Sequence, residues 1–484
     1  MKKVTPLITC LLAISLSLLG CSNKQNNKSG SKGNNPSHIV SLDIVAFNDL
    51  HGNTLDSDSG LGLAKTTTLV NELTKHSNNR LLISQGDMWQ GSAESNLTHG
   101  NLVTEWMNEQ GFVSMTLGNH EFDWGQDDIA SNKELANFPF LAINIYSTET
   151  NSLASYCQPS TIATIGSAKI GIIGAIGDCY SSISSSQVKD IYFKVGDELT
   201  SLVKAEAKSL KEQGCDFIIY SVHDDDSAYN LDLSDGYVDL VLEGHTHKNY
   251  VRKDAKGVYH VQGGGYNKSL PYIRLDIDTA NDTYDIKKIQ SIYTNDYWKL
   301  PDNENAQKIF DKYQSVIGTA RMPIGVNSSR RDSTYLRNLV SELYLEAGLE
   351  KWGEQYNIFL GGGYISCRSP YYLSSGDVSY ADLYNLFPFD NDIQLCSVSG
   401  ASLLKQFINT DNENYFIDYS LYGEGLVNNI DNNETYYIVT DSYSSDYGPN
   451  NLTVIESYNE NGYYARDLLK DYIVEGGLEN KITA

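Results

Sequence analysis

The chain has 484 residues, more than a single hydrophobic core of roughly 250–300 residues accommodates, so two domains are expected. Forty per cent of the residues are apolar, enough for packed cores. The formal charge, 36 − 61 = −25, excludes nucleic-acid polymers as partners, because their binding rests on Lys and Arg contacts to phosphate.

The first segment, "MKKVTPLITCLLAISLSLLGC", sets Lys2 and Lys3 before an apolar stretch too short for a comfortable membrane span. It ends in Leu18-Leu19-Gly20-Cys21, which resembles the lipobox of bacterial lipoproteins. An ordinary signal peptide or a terminal anchor helix is the alternative. The resemblance implies a lipoprotein signal peptide over 1–21 with Cys21 as the lipidated residue. Residues 22–38, "SNKQNNKSGSKGNNPSH", form a polar tether that has no apolar content for a core. The chain is therefore expected on the extracellular side of a bacterial cell membrane, held by a lipid anchor.

From 39 to 300 apolar runs alternate with helical patterns. The runs are "LDIVAF" (42–47), "RLLIS" (80–84), "VSMTL" (113–117), "FLAIN" (140–144), "KIGIIGAIG" (169–177), "DFIIYSV" (216–222) and "VDLVLEG" (238–244). "KTTTLVNELTKH" (65–76) and "GDELTSLVKAEAKSLKEQG" (196–214) read as helices, the second with Leu199, Leu202, Val203 and Leu210 at helical spacing. This alternation predicts a layered α/β domain with buried strands. "NENAQKIFDKYQSVIG" (303–318) reads as a helix within a linker over 301–320, and a second, smaller α/β unit covers 321–478. Beyond Cys10 and Cys21 the cysteines are Cys157, Cys179, Cys215, Cys367 and Cys396, with no CxxC pair. A Cys157–Cys179 disulfide and buried free thiols are both open.

Five of the predicted strands end in polar clusters: Asn48-Asp49-Leu50-His51-Gly52, Gln85-Gly86-Asp87, Gly118-Asn119-His120-Glu121, His223-Asp224 and Gly244-His245-Thr246-His247. The carboxyl edge of an open α/β sheet is where ligands bind. Histidine, carboxylate and amide oxygen together suit zinc, manganese, iron or cobalt, and the absence of cysteine argues against a structural zinc finger.

Together these motifs resemble the calcineurin-like metallophosphoesterases, and the longer forms "NDLHGN", "QGDMWQGS" and "GNHEFDWG" look like the 5′-nucleotidase branch. The resemblance covers about 40 to 475. It implies an N-terminal four-layer sandwich, with helices flanking two mixed sheets, and a smaller α/β C-terminal substrate-binding domain. It also implies two divalent metal ions, one held by Asp49, His51 and His247, the other by Asn119, His223 and His245, with Asp87 bridging. His120 and Asp123 correspond to the family's dyad for the phosphate transition state, although a His that merely orients a ligand is the bland alternative. Glu121 has no assigned role. The family follows the lone His with small residues, whereas this chain has Asp224-Asp225-Asp226.

In the second domain, "FLGGGYISCRSPYYLSSGDVSYADLYNLFPFDNDIQL" (359–395) resembles the 5′-nucleotidase C-terminal domain. There a Gly-rich turn precedes a substrate Arg, and a Pro-Phe-x-Asn reads the base. The matching positions are Gly361–Gly363, Arg368, Phe389 and Asn391. Tyr364 to Cys367 intervene before Arg368, a departure from the family spacing. Where the family has a second aromatic and an acid, this chain has "TDSYSSDYGPNN" (440–451), with Tyr443 and Asp446 as the nearest counterparts. Arg330, Arg331 and Arg337 are further sources of positive charge. The implied function is phosphate release from nucleoside 5′-monophosphates, with no protein partner evident. UDP-sugar or 2′,3′-cyclic nucleotide hydrolysis, and a non-catalytic nucleotide-binding surface lipoprotein, are the alternatives.

Overall fold

The apolar runs of the first 300 residues are continuous because both faces of each strand are covered. In strand Ile39–Phe47, Leu42, Ile44 and Ala46 join one core cluster while Val45 and Phe47 join another. Successive side chains of a strand point to opposite faces, so two clusters on one strand mean two packed layers. The computed structural model describes residues 38–479 apart from 58–59, 78, 225–235, 364, 366, 369, 407–417, 422–429, 448–451 and 460–462. The signal peptide, Cys21 and the tether over 22–37 lie outside the described residues, as do Asp225 and Asp226.

Two six-stranded sheets face each other. The first runs Thr283–Tyr293, Ser269–Asp278, Ile39–Phe47, Arg80–Ser84, Phe112–Thr116, Phe140–Leu141; the second runs Tyr250–Lys253, Tyr259–Gln262, Leu240–Glu243, Phe217–His223, Ala168–Ile176, Ser160–Ile165. Both are mixed: the first is antiparallel at the Thr283–Tyr293 edge and parallel through to the Phe140–Leu141 edge, and the second is parallel at the centre with an antiparallel pair at each edge. Between them Leu42, Ile44, Leu81 and Ile83 meet Ile170, Ile172, Phe217 and Ile219. Outside the first sheet, Leu69 of helix Leu63–Thr74 and Trp106 of helix Asn101–Gln110 pack with Val45 and Phe47. Outside the second, Leu199, Val203 and Leu210 of helix Gly196–Glu212 cover Ile173 and Ile218. This is the expected four-layer sandwich.

Two expectations need correction. "FLAIN" is a strand only over Phe140–Leu141. Asn144 leaves the ladder because its own side chain takes over, donating to Ile176 O (2.6 Å) and Lys194 O (3.0 Å). The single helix expected over 303–318 is two, Glu304–Lys312 and Gln314–Ala320. The break falls at Tyr313, whose N–H bonds back three residues to Phe310 O and whose hydroxyl donates to Glu105 at 2.8 Å.

The second lobe is a five-stranded sheet in the order Asp418–Leu421, Ile358–Gly363, Thr435–Asp441, Ile393–Ser399, Thr453–Tyr458. Helix Ser333–Trp352 lies against it, capped by Asp332, whose side chain accepts from Tyr335 N. A third correction falls here: the turn expected at Gly361 to Gly363 is instead part of buried strand Ile358–Gly363. A Cβ on Gly361 would stand 2.3 Å from Leu345 N and 2.6 Å from Ser341 O, so this glycine lets helix and strand touch backbone to backbone. The lobes join through Ala93, Ala320, Ala381 and Tyr384, and through Asn96 Nδ2, which donates to Pro388 O at 2.7 Å. All five described cysteines are free, so no disulfide links them.

Candidate active site

The three polar ends of the first sheet and the two of the second meet at one edge of the sandwich. A buried pair holds the sheets together just beneath: Thr116 Oγ1 and Ser221 Oγ are 2.6 Å apart, and Ser221 Oγ donates to Ser84 O at 3.3 Å. Above it the backbone is strained. Asp49, His51, Asp87, His245 and His247 all have positive φ, between 47° and 74°. Such conformations cost non-glycine residues of order 1–3 kcal/mol each and persist only where the surroundings over-determine them. Gly118 fits that crowding, since a Cβ there would stand 2.3 Å from Asp87 Oδ1.

The seven residues expected to hold metal are brought together. Asp49, His51 and His247 each offer a ligand atom within 4.8 Å of the others, as do Asp49, Asp87 and His223. His51 Nδ1 faces Gln90 O at 3.1 Å, so it carries the proton and leaves Nε2 as the free donor, 3.0 Å from His247 Nε2. Two nitrogens about 2.0–2.1 Å from one tetrahedral zinc lie roughly 3.3 Å apart, close to that separation. His223 is oriented likewise: Nδ1 faces Gln85 O at 2.7 Å, and Nε2 lies 3.1 Å from Asn119 Oδ1 and 3.0 Å from Asp87 Oδ2. His245 Nδ1 completes that set, 3.1 Å from Asn119 Oδ1. Asp87 Oδ2 is also 3.9 Å from His51 Nε2, so one carboxylate reaches both sets. Unshared nitrogen and oxygen lone pairs converging in two adjacent groups fit two divalent cations.

The electrostatics agree. Burial favours a protonated Asp87, yet the imidazoles of His223 and His120 outweigh it and hold the carboxyl well below its ordinary range. Burial would lower His223, but the Asp87 charge lifts it to about 10. Buried anions here demand positive charge, which cations would supply with release of the protons.

His120 and Asp123 form the expected pair, Nδ1 to Oδ2, at 2.9 Å. Burial lowers the imidazole, and the Asp123 and Asp87 carboxylates more than reverse it, so its pKa lies above the ordinary value. Glu121, unassigned from sequence, ties two loops together: its carboxylate accepts from Asp87 N (2.8 Å), Met88 N (2.8 Å) and Gly118 N (2.7 Å). Burial and the Asp87 charge push it up to about 7. Cys179, which the sequence left open between a disulfide and a buried free thiol, is a buried free thiol that reaches the centre, donating from Sγ to His223 O at 2.8 Å. Asp224 is buried and accepts from Cys179 N at 3.2 Å.

Across from the metal ligands lies the second lobe. One cavity of about 280 Å³ is lined by Asn119, His120 and His245 from the first lobe and by Arg368, Phe389, Asn391 and Tyr443 from the second. The Phe389 and Tyr443 rings are nearly parallel, 9° apart in plane with centroids 6.4 Å apart. Stacked bases are spaced roughly 3.4 Å apart, so the gap approximates twice that thickness. The Arg368 guanidinium sits 5.0 Å over Phe389, and Nη1 donates to the Tyr266 hydroxyl at 3.3 Å. Asp446 is exposed and is not among the residues lining this cavity; it accepts from Ser184 Oγ at 2.7 Å.

Arg330 and Arg331 lie over Tyr372 and Tyr335, and with Arg337 they stay off this cavity's lining. Sequence reading missed Arg466, which holds the Phe389 loop. It donates to Phe387 O (2.9 Å), Phe389 O (3.2 Å) and Asp390 Oδ1 (2.6 Å). Asp392 N to Ser442 Oγ (3.1 Å), answered by Ser442 N to Asp392 O (2.9 Å), then joins this loop to the helix carrying Tyr443.

Residues 42–249 match the Calcineurin-like phosphoesterase family, and residues 316–456 match the 5′-nucleotidase, C-terminal domain family. Endonuclease YhcR of Bacillus subtilis is 26% identical over 435 residues, covering 80% of this chain; the chain spans only 34% of that relative's length. A 5′-nucleotidase of Diplobatis ommata is 27% identical over 416 residues, 76% of this chain and 70% of its own. The fold is that of a 5′-nucleotidase precursor from Thermus thermophilus, with a TM-score of 0.69 at 19% identity over 90% of this chain and 96% of the other. With both matched domains in order on one chain, the protein belongs to the 5′-nucleotidase family of the calcineurin-like phosphoesterases, which are metal-dependent phosphoric ester hydrolases.

Proposed function

We propose that this hydrolase holds two divalent cations and releases phosphate from nucleoside 5′-monophosphates, outside the bacterial cell membrane and anchored there through a lipid on Cys21. The observation that carries the substrate class is the shared cavity, which places metal-ligand residues and the Phe389–Tyr443 slot around one space. Asp49, His51 and His247 would hold one cation, Asn119, His223 and His245 the other, with Asp87 shared. Bound cations would act as Lewis acids and lower the pKa of water toward neutrality.

The chain's own groups do the rest. With Nδ1 engaged by Asp123, His120 turns its other nitrogen to the phosphoryl oxygens, where a donated proton stabilises developing charge. Arg368 adds a fixed positive charge beside the phosphate. Phe389 and Tyr443 stack the base, and Asn391 bonds its edge. The acidic surface repels nucleotide anions, so these local charges must outweigh it.

A second cavity of about 360 Å³ favours a larger substrate as the alternative. It adjoins His51 and Arg368 and carries Asn53, Gln90, Ser92 and Asn385. A nucleoside diphosphate sugar would place its sugar there. The test is hydrolysis of a panel of nucleotides by metal-stripped protein, with each divalent metal added back and the products separated by chromatography. Metal-dependent release of phosphate from monophosphates is expected; preferential cleavage of the diphosphate sugar into nucleoside monophosphate and sugar phosphate would favour the alternative, and cleavage of none would overturn both.

A further inference from the structure

The loop from Gly244 to Lys248 carries one histidine of each candidate metal set. Its shape therefore fixes the distance between the sets. His245 and His247 both lie at positive φ, 74° and 57°, a backbone conformation that an unsupported loop would leave. Asp49 holds one point, accepting from His245 N at 2.9 Å. The rest of the support comes from a residue of another strand.

Gln262 ends strand Tyr259–Gln262 and is fully buried. Its Oε1 accepts from Thr246 Oγ1 and from Lys248 N, each at 2.9 Å. Its Nε2 donates to Gly244 O at 3.1 Å and to the Tyr250 hydroxyl at 3.3 Å. An amide side chain has two donor hydrogens and an oxygen with two lone pairs. All four are engaged, and by alternate residues of one loop, 244, 246, 248 and 250, which bracket both histidines. Glutamate would lack the donors for Gly244 O, and leucine would remove all four bonds at once.

The support is itself anchored. The Tyr250 hydroxyl donates to Glu243 Oε2 at 2.8 Å, and Glu243, buried just before Gly244, also meets Arg252 Nη2 at 3.1 Å and His260 Nδ1 at 3.3 Å. The loop thus hangs between a buried ionic cluster and one saturated amide.

We propose that Gln262 is a positioning residue for the metal centre: by holding residues 244–250 it sets the spacing of His245 and His247, and so tunes both cation sites at once. This rests on the assignment of those two histidines to two cations. A change in any ligand other than the shared Asp87 should damage one site more than the other, whereas losing Gln262 should weaken both.

The experiment uses the full chain, stripped and titrated with Mn2+ by calorimetry, with visible absorption of the Co2+-loaded form and the melting temperature of the stripped protein recorded alongside. Gln262→Leu is expected to bind both cations about 10–100-fold more weakly, the usual consequence of removing an outer partner of a ligand. Because that variant could fold poorly, Thr246→Val and Thr246→Ser decide the matter. Thr246→Val removes one of the four bonds at a half-buried position and should weaken both sites about 2–10-fold. Its Co2+ bands should shift while its metal-free melting temperature stays within a few degrees of wild type. Thr246→Ser, which keeps the hydroxyl, should restore affinity and bands. Wild-type affinity in Thr246→Val, a loss confined to one site, or failure of Thr246→Ser to rescue would each overturn the proposal. A wild-type chain that takes up a single cation would instead overturn the two-cation reading, and the spacer role with it.

Discussion

Asp87 is the residue on which the metal centre turns. Its Oδ2 faces both candidate ligand sets, and its Oδ1 accepts from His120 N at 2.8 Å, so one carboxylate would link the proposed cations to the dyad. Asp87→Asn should lower metal stoichiometry and remove most turnover; two tightly bound metals per chain with near-normal turnover would contradict the bridge. Phe389 belongs to recognition instead. Base stacking is worth roughly 1–3 kcal/mol by alanine substitution. Phe389→Ala should therefore raise the KM for nucleotides about 10–100-fold and leave hydrolysis of a small base-free phosphoester almost unchanged. Equal losses on both substrates, with a lower melting temperature, would make it a packing residue. The candidate ligands could be picked out in the sequence because each is a costly polar group at a strand end. Glu121 stood in the same motif, yet its role was not legible, because what it binds is three backbone N–H groups, and backbone partners leave no mark in a sequence.

At the scale of elements, the apolar runs captured seven of the twelve described strands of the two sheets and the clusters at their ends, because two-sided burial forces long apolar runs. Ser160–Ile165, Tyr250–Lys253, Tyr259–Gln262, Ser269–Asp278 and Thr283–Tyr293 were not read. Periodicity failed where a side chain replaces backbone pairing, as at Asn144, or where one tyrosine breaks a helix, as at Tyr313. The three glycines at 361–363 looked like a turn because composition cannot distinguish a bend from a close helix–strand approach. Arg466 was invisible for a related reason: it lies 76 residues downstream of Asp390, its partner in the loop it holds. Its side chain is 1% exposed, and breaking such a buried ion pair costs about 3 kcal/mol or more. Arg466→Leu should lower the melting temperature and raise the KM for nucleotides, while hydrolysis of the base-free phosphoester falls far less. An unchanged nucleotide KM would remove this role.

The whole molecule closes its site between two lobes, with metal ligands supplied by the first and the aromatic slot by the second. Neither lobe alone contains both halves. The proposed location is a separate matter and rests on the lipobox-like end of the N-terminal segment. Cys21→Ser should release the protein from the membrane fraction or leave it unprocessed; unchanged attachment with no lipid on the mature N-terminus would make the apolar segment itself the anchor. The central claim is that two cations held by this chain drive hydrolysis of nucleotides. Its most direct test is a stepwise titration of stripped protein with one divalent metal, recording bound metal and phosphate release from AMP in the same samples. Release should rise with occupancy and saturate at two equivalents per chain. Full activity in the stripped protein, saturation at one equivalent, or two bound metals without release would contradict the account.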